Sequence, residues 1–238
     1  MRIAVIIPAR DEEASVGRVL AAIPHELAAD LIVVDNGSRD ATAEVARRAG
    51  ARVVHEERPG YGSACLAGIA ALEPCDIVVF LDADYSDYPE EMTRLVAPLL
   101  EGRADLVIGS RTLGKRESGA LLPQARCGNW LACQLIRWLF GQRMTDLGPF
   151  RAIRRSSLQE LDMADRTFGW TVEMQVKAVQ HGLRVVEVPV SYRRRVGKSK
   201  ITGTVWGTVR AGWKIVTTIL RLRFGRRSGA RRRVGGQG

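Results

Sequence analysis

Two acids, Asp82 and Asp84, stand one residue apart at the end of the apolar run Ile77-Val78-Val79-Phe80-Leu81. A run of this kind reads as a buried parallel strand. Residues two apart on a strand share a face, so both carboxylates are expected to project together from its carboxyl end. That end is where open α/β sheets take ligands. Like charges this close repel unless a cation accompanies them. Hard oxygen ligands suit Mg2+ or Mn2+, held jointly with a diphosphate. The plainer alternative is a pair of solvated acids at a strand–loop boundary.

Other residues gather at neighbouring strand ends. The first apolar run closes on Ile7-Pro8-Ala9-Arg10-Asp11-Glu12, with no G-x-G-x-x-G, which argues against a dehydrogenase-type dinucleotide fold. The second closes on Val34-Asp35-Asn36-Gly37-Ser38. Asp35 there suits hydrogen bonds to a ribose or base, or acts as a turn acid. Gly60-Tyr61-Gly62-Ser63 lacks the Lys-Ser/Thr of a P-loop. It reads as a tight turn before a helix, with diphosphate contact as the alternative. His25, His55 and His181 sit in helix, loop and strand contexts and read as structural.

These positions need a scaffold. Strands are expected at Ile3–Ala9, Leu31–Asp35, Arg52–His55, Asp76–Leu81, Leu106–Gly109, Gly148–Ile153 and Val185–Val190, the last at an edge. Helical patterns separate them: Asp11 onward, Asp40–Ala49 stopped by Gly50, a helix after Gly62, one opened by Pro89, Gln124–Phe140 and Thr171–His181. The alternation predicts an α/β protein with a mostly parallel central sheet and helices on both faces.

The chain has 238 residues, enough for one large domain. Its net charge of +10 is unevenly placed. All 26 acids lie at or before Glu187, whereas residues 191–238 carry 14 Lys or Arg and no acid. A mildly acidic globule therefore precedes a basic segment that seeks phosphates. Within it, residues 203–225 form an amphipathic basic helix with Trp206 and Trp213, suited to a membrane surface. The alternative is a helix packed on the globule with its basic face in water. Residues 226–238 are Arg/Gly-rich and expected to be disordered. Because the charge is segregated, any nucleic-acid binding would belong to the tail alone, which argues against nucleic acid as the main partner. Cys65, Cys75, Cys127 and Cys133 fall in no paired spacing, which points to a reduced, cytosolic protein. No leader and no membrane-length apolar run are expected.

In order along the chain, Pro8-x-x-x-Glu12, Val34-Asp35-Asn36-Gly37-Ser38-x-Asp40-x-Thr42, Gly60-x-Gly62 and Asp82-Ala-Asp84 resemble the family 2 glycosyltransferases of the GT-A fold. Further on, Gly109-Ser110-Arg111, Asp146-Leu-Gly-Pro-Phe-Arg151, Glu187-Val-Pro-Val190 and Arg194-x-x-Gly197-x-Ser199-Lys200 resemble the polyprenyl- and dolichyl-phosphate hexose synthases. The resemblance covers residues 3–201 and implies a catalytic domain over residues 1–202. It implies that Pro8, Arg10, Glu12, Val34 and Asp35 hold the base and ribose of a UDP- or GDP-hexose. It places Asp82, Ala83 and Asp84 at the diphosphate and metal, with Asp84 the nearest ligand. Arg111, Arg194 and Lys200 fall at cationic positions around the donor diphosphate and acceptor phosphate. The chain departs from the family at Arg10-Asp11, Asp35-Asn36 and Ser86, positions that bear on base identity and the outer metal shell.

The implied reaction is a metal-dependent, inverting transfer of a hexose to a polyprenyl phosphate at the cytoplasmic membrane face, with the protein held there peripherally. A phosphate acceptor is already anionic and needs no strong base. A soluble hydroxyl acceptor, the alternative, would need a carboxylate base, and Asp146 is the candidate.

Overall fold

The computed structural model describes residues 1–197 and 205–225, leaving the side chains of 205–209 aside. Four strands, β1 (Ile3–Ala9), β2 (Ala28–Asp35), β3 (Arg52–His55) and β4 (Ile77–Phe80), run parallel in the spatial order β3-β2-β1-β4. Beyond β4 the sheet changes character. β5 (Leu106–Ser110), β6 (Arg151–Arg154) and β7 (Val185–Pro189) follow in the order β6-β5-β7. β6 is antiparallel to both β4 and β5, and β7 is the expected edge strand, parallel to β5. The fold is α/β with a seven-stranded, mostly parallel sheet.

Alternation along the strands divides the core between the two faces. Ile3, Val5, Ile7, Val33, Ile77 and Val79 face α1 (Val16–Ala22), α2 (Thr42–Arg48) and α4 (Met92–Leu100). Ile6, Ile32, Val34, Val78 and Phe80 face α3 (Tyr61–Ala70), α6 (Arg155–Leu161) and α7 (Trp170–Gln180). Coverage on both faces is why these strands are apolar runs rather than alternating ones. Trp170, fully buried at the start of α7, meets Phe80 edge-on at 4.7 Å and ties that helix to the end of β4.

Two helices lie outside these layers. α5 (Pro123–Phe140) opens on proline and stops at Gly141, whose φ of 75° suits a residue without a Cβ. α8 (Val205–Phe224) packs against α5 and α7 through Ile219, Ile215 and Leu222. Ile219 is fully buried, a contribution of about 1.5–3 kcal/mol to holding α8 in place.

The observed elements differ from the sequence expectation in detail. β2 begins at Ala28 rather than Leu31, and α6 was not foreseen. The strand expected at Gly148–Ile153 begins only at Arg151, because Arg151 itself bonds back to the Gly148 and Leu147 carbonyls. Strand β4 stops at Phe80, so Asp82 and Asp84 converge through the following turn rather than through strand alternation. Lys200, Ser199 and the 226–238 tail lie outside the described residues.

Candidate active site

A cavity of about 360 Å³ opens at the carboxyl ends of β1, β2 and β4. Pro8, Arg10 and Glu12 come from the end of β1, and Asn36 from the end of β2. Gly60 and Tyr61 come from the start of α3, Asp82, Ala83 and Asp84 from the turn after β4. Thr167, Phe168, Arg195 and Arg210 arrive from the second half of the chain.

The acidic turn is tightly specified. Asp84 Oδ1 accepts hydrogen bonds from Ser86 N at 2.9 Å and Ser86 Oγ at 2.5 Å. Tyr85 adopts φ +60°, an uncommon left-handed conformation for a residue with a side chain, which turns the chain back beneath the cavity. Asp82 Oδ1 is enclosed and has no hydrogen-bond partner among the described residues. Burial, reinforced by the charge of Asp84, raises the Asp82 carboxyl from 3.8 to about 7. Asp87, a few residues on, is pushed well above the carboxylate range by burial and then by Asp82 and Asp84.

One cation already serves this turn. Arg195 Nη1 lies 3.2 Å from Asp84 Oδ2, and its Nη2 donates to Glu12 Oε1 at 2.9 Å. Arg195 Nε is buried without a partner among the described residues. The segment carrying Arg195 is bound to the acidic turn along its length: Arg193 N donates to Ser86 O, and Val196 N to Asp84 O. Arg193 lies between the Tyr85 and Tyr88 rings, 3.5 and 4.0 Å from their centroids. Arg194 donates its backbone N–H to Glu117 Oε2, points its guanidinium to Ser118 O, and does not line the cavity. Of the three neighbouring arginines, Arg195 is the one whose side chain lines the cavity.

The nucleotide positions divide in the same way. Pro8, Arg10 and Glu12 line the cavity. Asp35 lies at its border rather than in the lining and accepts from Ser38 N at 3.1 Å, with His55 Nδ1 at the same distance from its other oxygen. Val34 is buried in the core. Asn36 does line the cavity, and its amide ties three backbone groups, Glu56 O, Arg58 O and Gly60 N. Gly60 caps α3 and Tyr61 opens it, so the helix begins inside the expected turn; Gly60 and Tyr61 both line the cavity. A Cβ on Gly60 would fall 2.1 Å from Arg166 O, and one on Gly62 2.0 Å from Asp165 O. Only glycine lets that backbone approach.

Arg111 and Asp146 form a closed unit. Arg111 donates to both Asp146 oxygens, through Nε at 2.8 Å and Nη2 at 2.7 Å, and adds its backbone N–H. Burial works against the Arg111 charge, but Asp146 outweighs it and holds the guanidinium well above its ordinary pKa. Glu187 receives Thr145 N and Asp146 N and so fixes the loop that presents Asp146. A second cavity of about 510 Å³ lies beside this unit, between the loop after β5 and α5, with Arg116 and Arg126 among Leu121, Trp130 and Met144.

Glu12, Asp82, Asp84 and a cationic segment thus surround one cavity at the strand ends of an α/β sheet. A profile of Glycosyl transferase family 2 matches residues 4–162, and the chain belongs to that family. It is 42% identical over 221 residues to an uncharacterized glycosyltransferase of Mycobacterium tuberculosis, covering 90% of this chain and 98% of that one. It is 33% identical to the dolichyl-phosphate hexose transferase of Haloferax volcanii, over 93% and 96% of the two chains. Among solved structures it resembles glucosyl-3-phosphoglycerate synthase from M. tuberculosis in complex with Mn2+, UDP-glucose and phosphoglyceric acid. That match has a TM-score of 0.76 and 27% identity, covering 93% and 79% of the chains.

Sequence reasoning missed Thr167, Phe168, Arg195 and Arg210 in the cavity wall and named Asn36 and Tyr61 only within their motifs. Within Arg193-Arg194-Arg195 the sequence does not mark which guanidinium enters the cavity. Thr167, Phe168 and Arg210 carried no signal, since tertiary packing alone delivers them.

Proposed function

We propose that this glycosyltransferase moves a hexose from a UDP- or GDP-sugar to a polyprenyl phosphate, with inversion at the anomeric carbon. The observation that carries the reading is the convergence of two acids, Asp82 and Asp84, and one guanidinium, Arg195, on a single cavity. Among the described residues Asp82 Oδ1 makes no direct hydrogen bond, although against the larger upward push of burial the neighbouring Tyr61 hydroxyl lowers the Asp82 pKa, and Arg195 Nε has no acceptor. An unpaired buried polar atom is costly, so each calls for a ligand of the opposite kind. A divalent cation answers the first and a diphosphate the second.

Asp82 and Asp84 would hold Mg2+ or Mn2+. Their hard oxygens fit such an ion, and Asp82 Oδ1 has no hydrogen-bond partner among the described residues. Among the described residues no cluster of three or more His, Cys, Asp or Glu is arranged to hold a metal unaided, so diphosphate oxygens and water would complete the shell. When bound, the ion supplies Lewis-acid stabilisation of the departing nucleoside diphosphate. Arg195 adds fixed positive charge on the same side. Pro8, Arg10, Glu12 and Asn36 border the space for the base and ribose. The nucleophile attacks opposite the leaving group in one displacement, converting an α-linked donor into a β-linked product.

Two observations favour a lipid phosphate as acceptor. Asp146, the base that a hydroxyl acceptor would call on, has both oxygens engaged by Arg111. The second cavity joins Arg116 and Arg126 to an apolar wall, a chemistry that matches a phosphate bearing a hydrocarbon chain. Membrane attachment fits the same picture. α8 exposes Trp213, Leu220 and Phe224, while α5 exposes Trp130, Leu131 and Trp138, with Arg210, Arg221 and Arg223 on α8. No helix among the described residues is long and apolar enough to cross a membrane. Docking would be peripheral, at the inner face, with each Lys or Arg near an anionic leaflet worth about 1 kcal/mol.

A small anionic acceptor is the second reading, favoured by the fold match to an enzyme solved with phosphoglyceric acid. Incubation with UDP- and GDP-hexoses, Mn2+, and either a short-chain prenyl phosphate or phosphoglyceric acid separates the two by product mass. A product from phosphoglyceric acid alone would overturn the lipid reading.

A further inference from the structure

The loop 163–169 lies between the cavity and the terminal helix, and its contacts run in both directions. Toward the cavity, Thr167 and Phe168 line the wall. Arg166 O accepts from Ser63 N at 3.0 Å in the first turn of α3. The Asp165 and Arg166 backbones press against Gly62 and Gly60, where no Cβ would fit. Toward α8, the Asp165 side chain is almost fully buried and its Oδ2 lies 2.8 Å from Lys214 Nζ, with Arg221 Nη2 at 3.9 Å. Asp165 Oδ1 accepts from Thr167 N at 2.8 Å and Thr167 Oγ1 at 2.9 Å, so one carboxylate joins the helix to a cavity residue. A Cβ on Gly169 would fall 2.6 Å from both Asp165 Oδ2 and Thr218 Oγ1, which shows how closely α8 is seated. Arg210, one turn before Lys214, lines the cavity itself.

We propose that Lys214 and Asp165 are positioning residues for the donor site, a latch through which the seating of α8 sets the shape of the nucleotide-sugar cavity. The inference rests on the reading of that cavity as the donor site. A helix whose outer face meets a surface and whose inner face holds the donor wall links the two events. By reciprocity, donor binding then also favours the seated helix. Lys214 does this work without touching substrate, because Asp165 relays its position to Thr167 and Phe168.

The test is calorimetric titration of UDP and of GDP, each with Mn2+, into the full-length chain. Lys214→Met keeps most of the side-chain stem and removes the charge. It is expected to weaken binding of the preferred nucleotide about tenfold, while Lys214→Arg stays within about threefold of the wild type. In turnover assays the donor KM rises and the acceptor KM holds, a split that general destabilisation does not produce. If Lys214→Met does not fold by circular dichroism, Asp165→Asn reads the same latch, because an amide oxygen still accepts from Thr167 without the charge. A folded variant that binds nucleotide like the wild type overturns the latch. Failure of the wild type to bind either nucleotide overturns the donor-site reading on which the latch rests.

Discussion

The half of the sheet from β3 to β4 and the half from β6 to β7 build their parts of the site by different means. In the first, neighbouring parallel strands end at one edge of the sheet: β1, β2 and β3 end level, Ala9 beside Asp35 and Asp35 beside His55, while β4 stops at Phe80 beside Ile6, three residues short. Whatever follows each strand falls at the same rim. In the second, β6 reverses direction and functional groups are fixed by polar pairs between distant segments. Arg111 meets Asp146, Lys214 meets Asp165, and Arg195 meets Glu12 across 183 positions. The first half places groups by topology, the second by charge.

The sharpest way to break this contrast is at the centre of the first half. Asp84→Ala removes one of two acids from a turn whose backbone is also held by Val196. Turnover with Mn2+ is expected to fall about a thousandfold or more, the scale of losing a principal electrostatic stabiliser, with the fold retained by circular dichroism. Retained turnover would remove the metal mechanism.

The second half is expected to fail differently, through stability. Asp146→Asn leaves the Arg111 guanidinium buried against a neutral amide. Breaking a buried pair from one side costs about 3–5 kcal/mol. In a chain of 238 residues that is a fall in Tm of roughly 10 °C, readable by differential scanning calorimetry. A Tm unchanged within a degree or two would show that Arg111 finds another partner.

Arg195 and Arg194 make the contrast finer, since they are neighbours of which only Arg195 lines the cavity. Arg195→Met is expected to raise the donor KM on the order of 10- to 100-fold, and Arg194→Met to change it less than about threefold. Equal effects would return the donor-binding role to Arg194.

The same comparison explains how much was legible. Asp82, Asp84, Pro8, Arg10 and Glu12 could be read because an apolar run followed by polar residues marks a strand end, and parallel strands end at one edge of the sheet. Asp82 and Asp84 line the cavity but reach it through a turn shaped by Tyr85 and Ser86, not by strand pleating. Val34 belongs to the same motif yet points into the core, because strand alternation decides its face. The antiparallel direction of β6, readable in the sequence only as a strand at Gly148–Ile153, and the 163–169 loop left no local trace. Their positions follow from contacts with α3, α7 and α8 that no short window of sequence contains.

The smallest expected effect is in pH, where the two halves carry acids of opposite behaviour. Asp82 is raised to about 7 by burial and then by Asp84. Its contribution to the stability of the metal-free protein is full below about pH 4 and is lost as pH rises through about 7. Burial also pushes Asp165 upward, but hydrogen bonds from Lys214 and Thr167 outweigh it and leave the carboxyl below its ordinary value of 3.8. Its contribution is present above about pH 4 and is lost only on acidification below that. Mn2+ must displace the proton from Asp82, so its apparent affinity should rise from about pH 6 to about pH 8, by at most about tenfold per unit, with a proton released on binding. Calorimetry in buffers of different ionisation enthalpy counts that proton. Asp82→Asn should abolish the release. Proton release that persists in Asp82→Asn would move the titrating group away from the acidic turn.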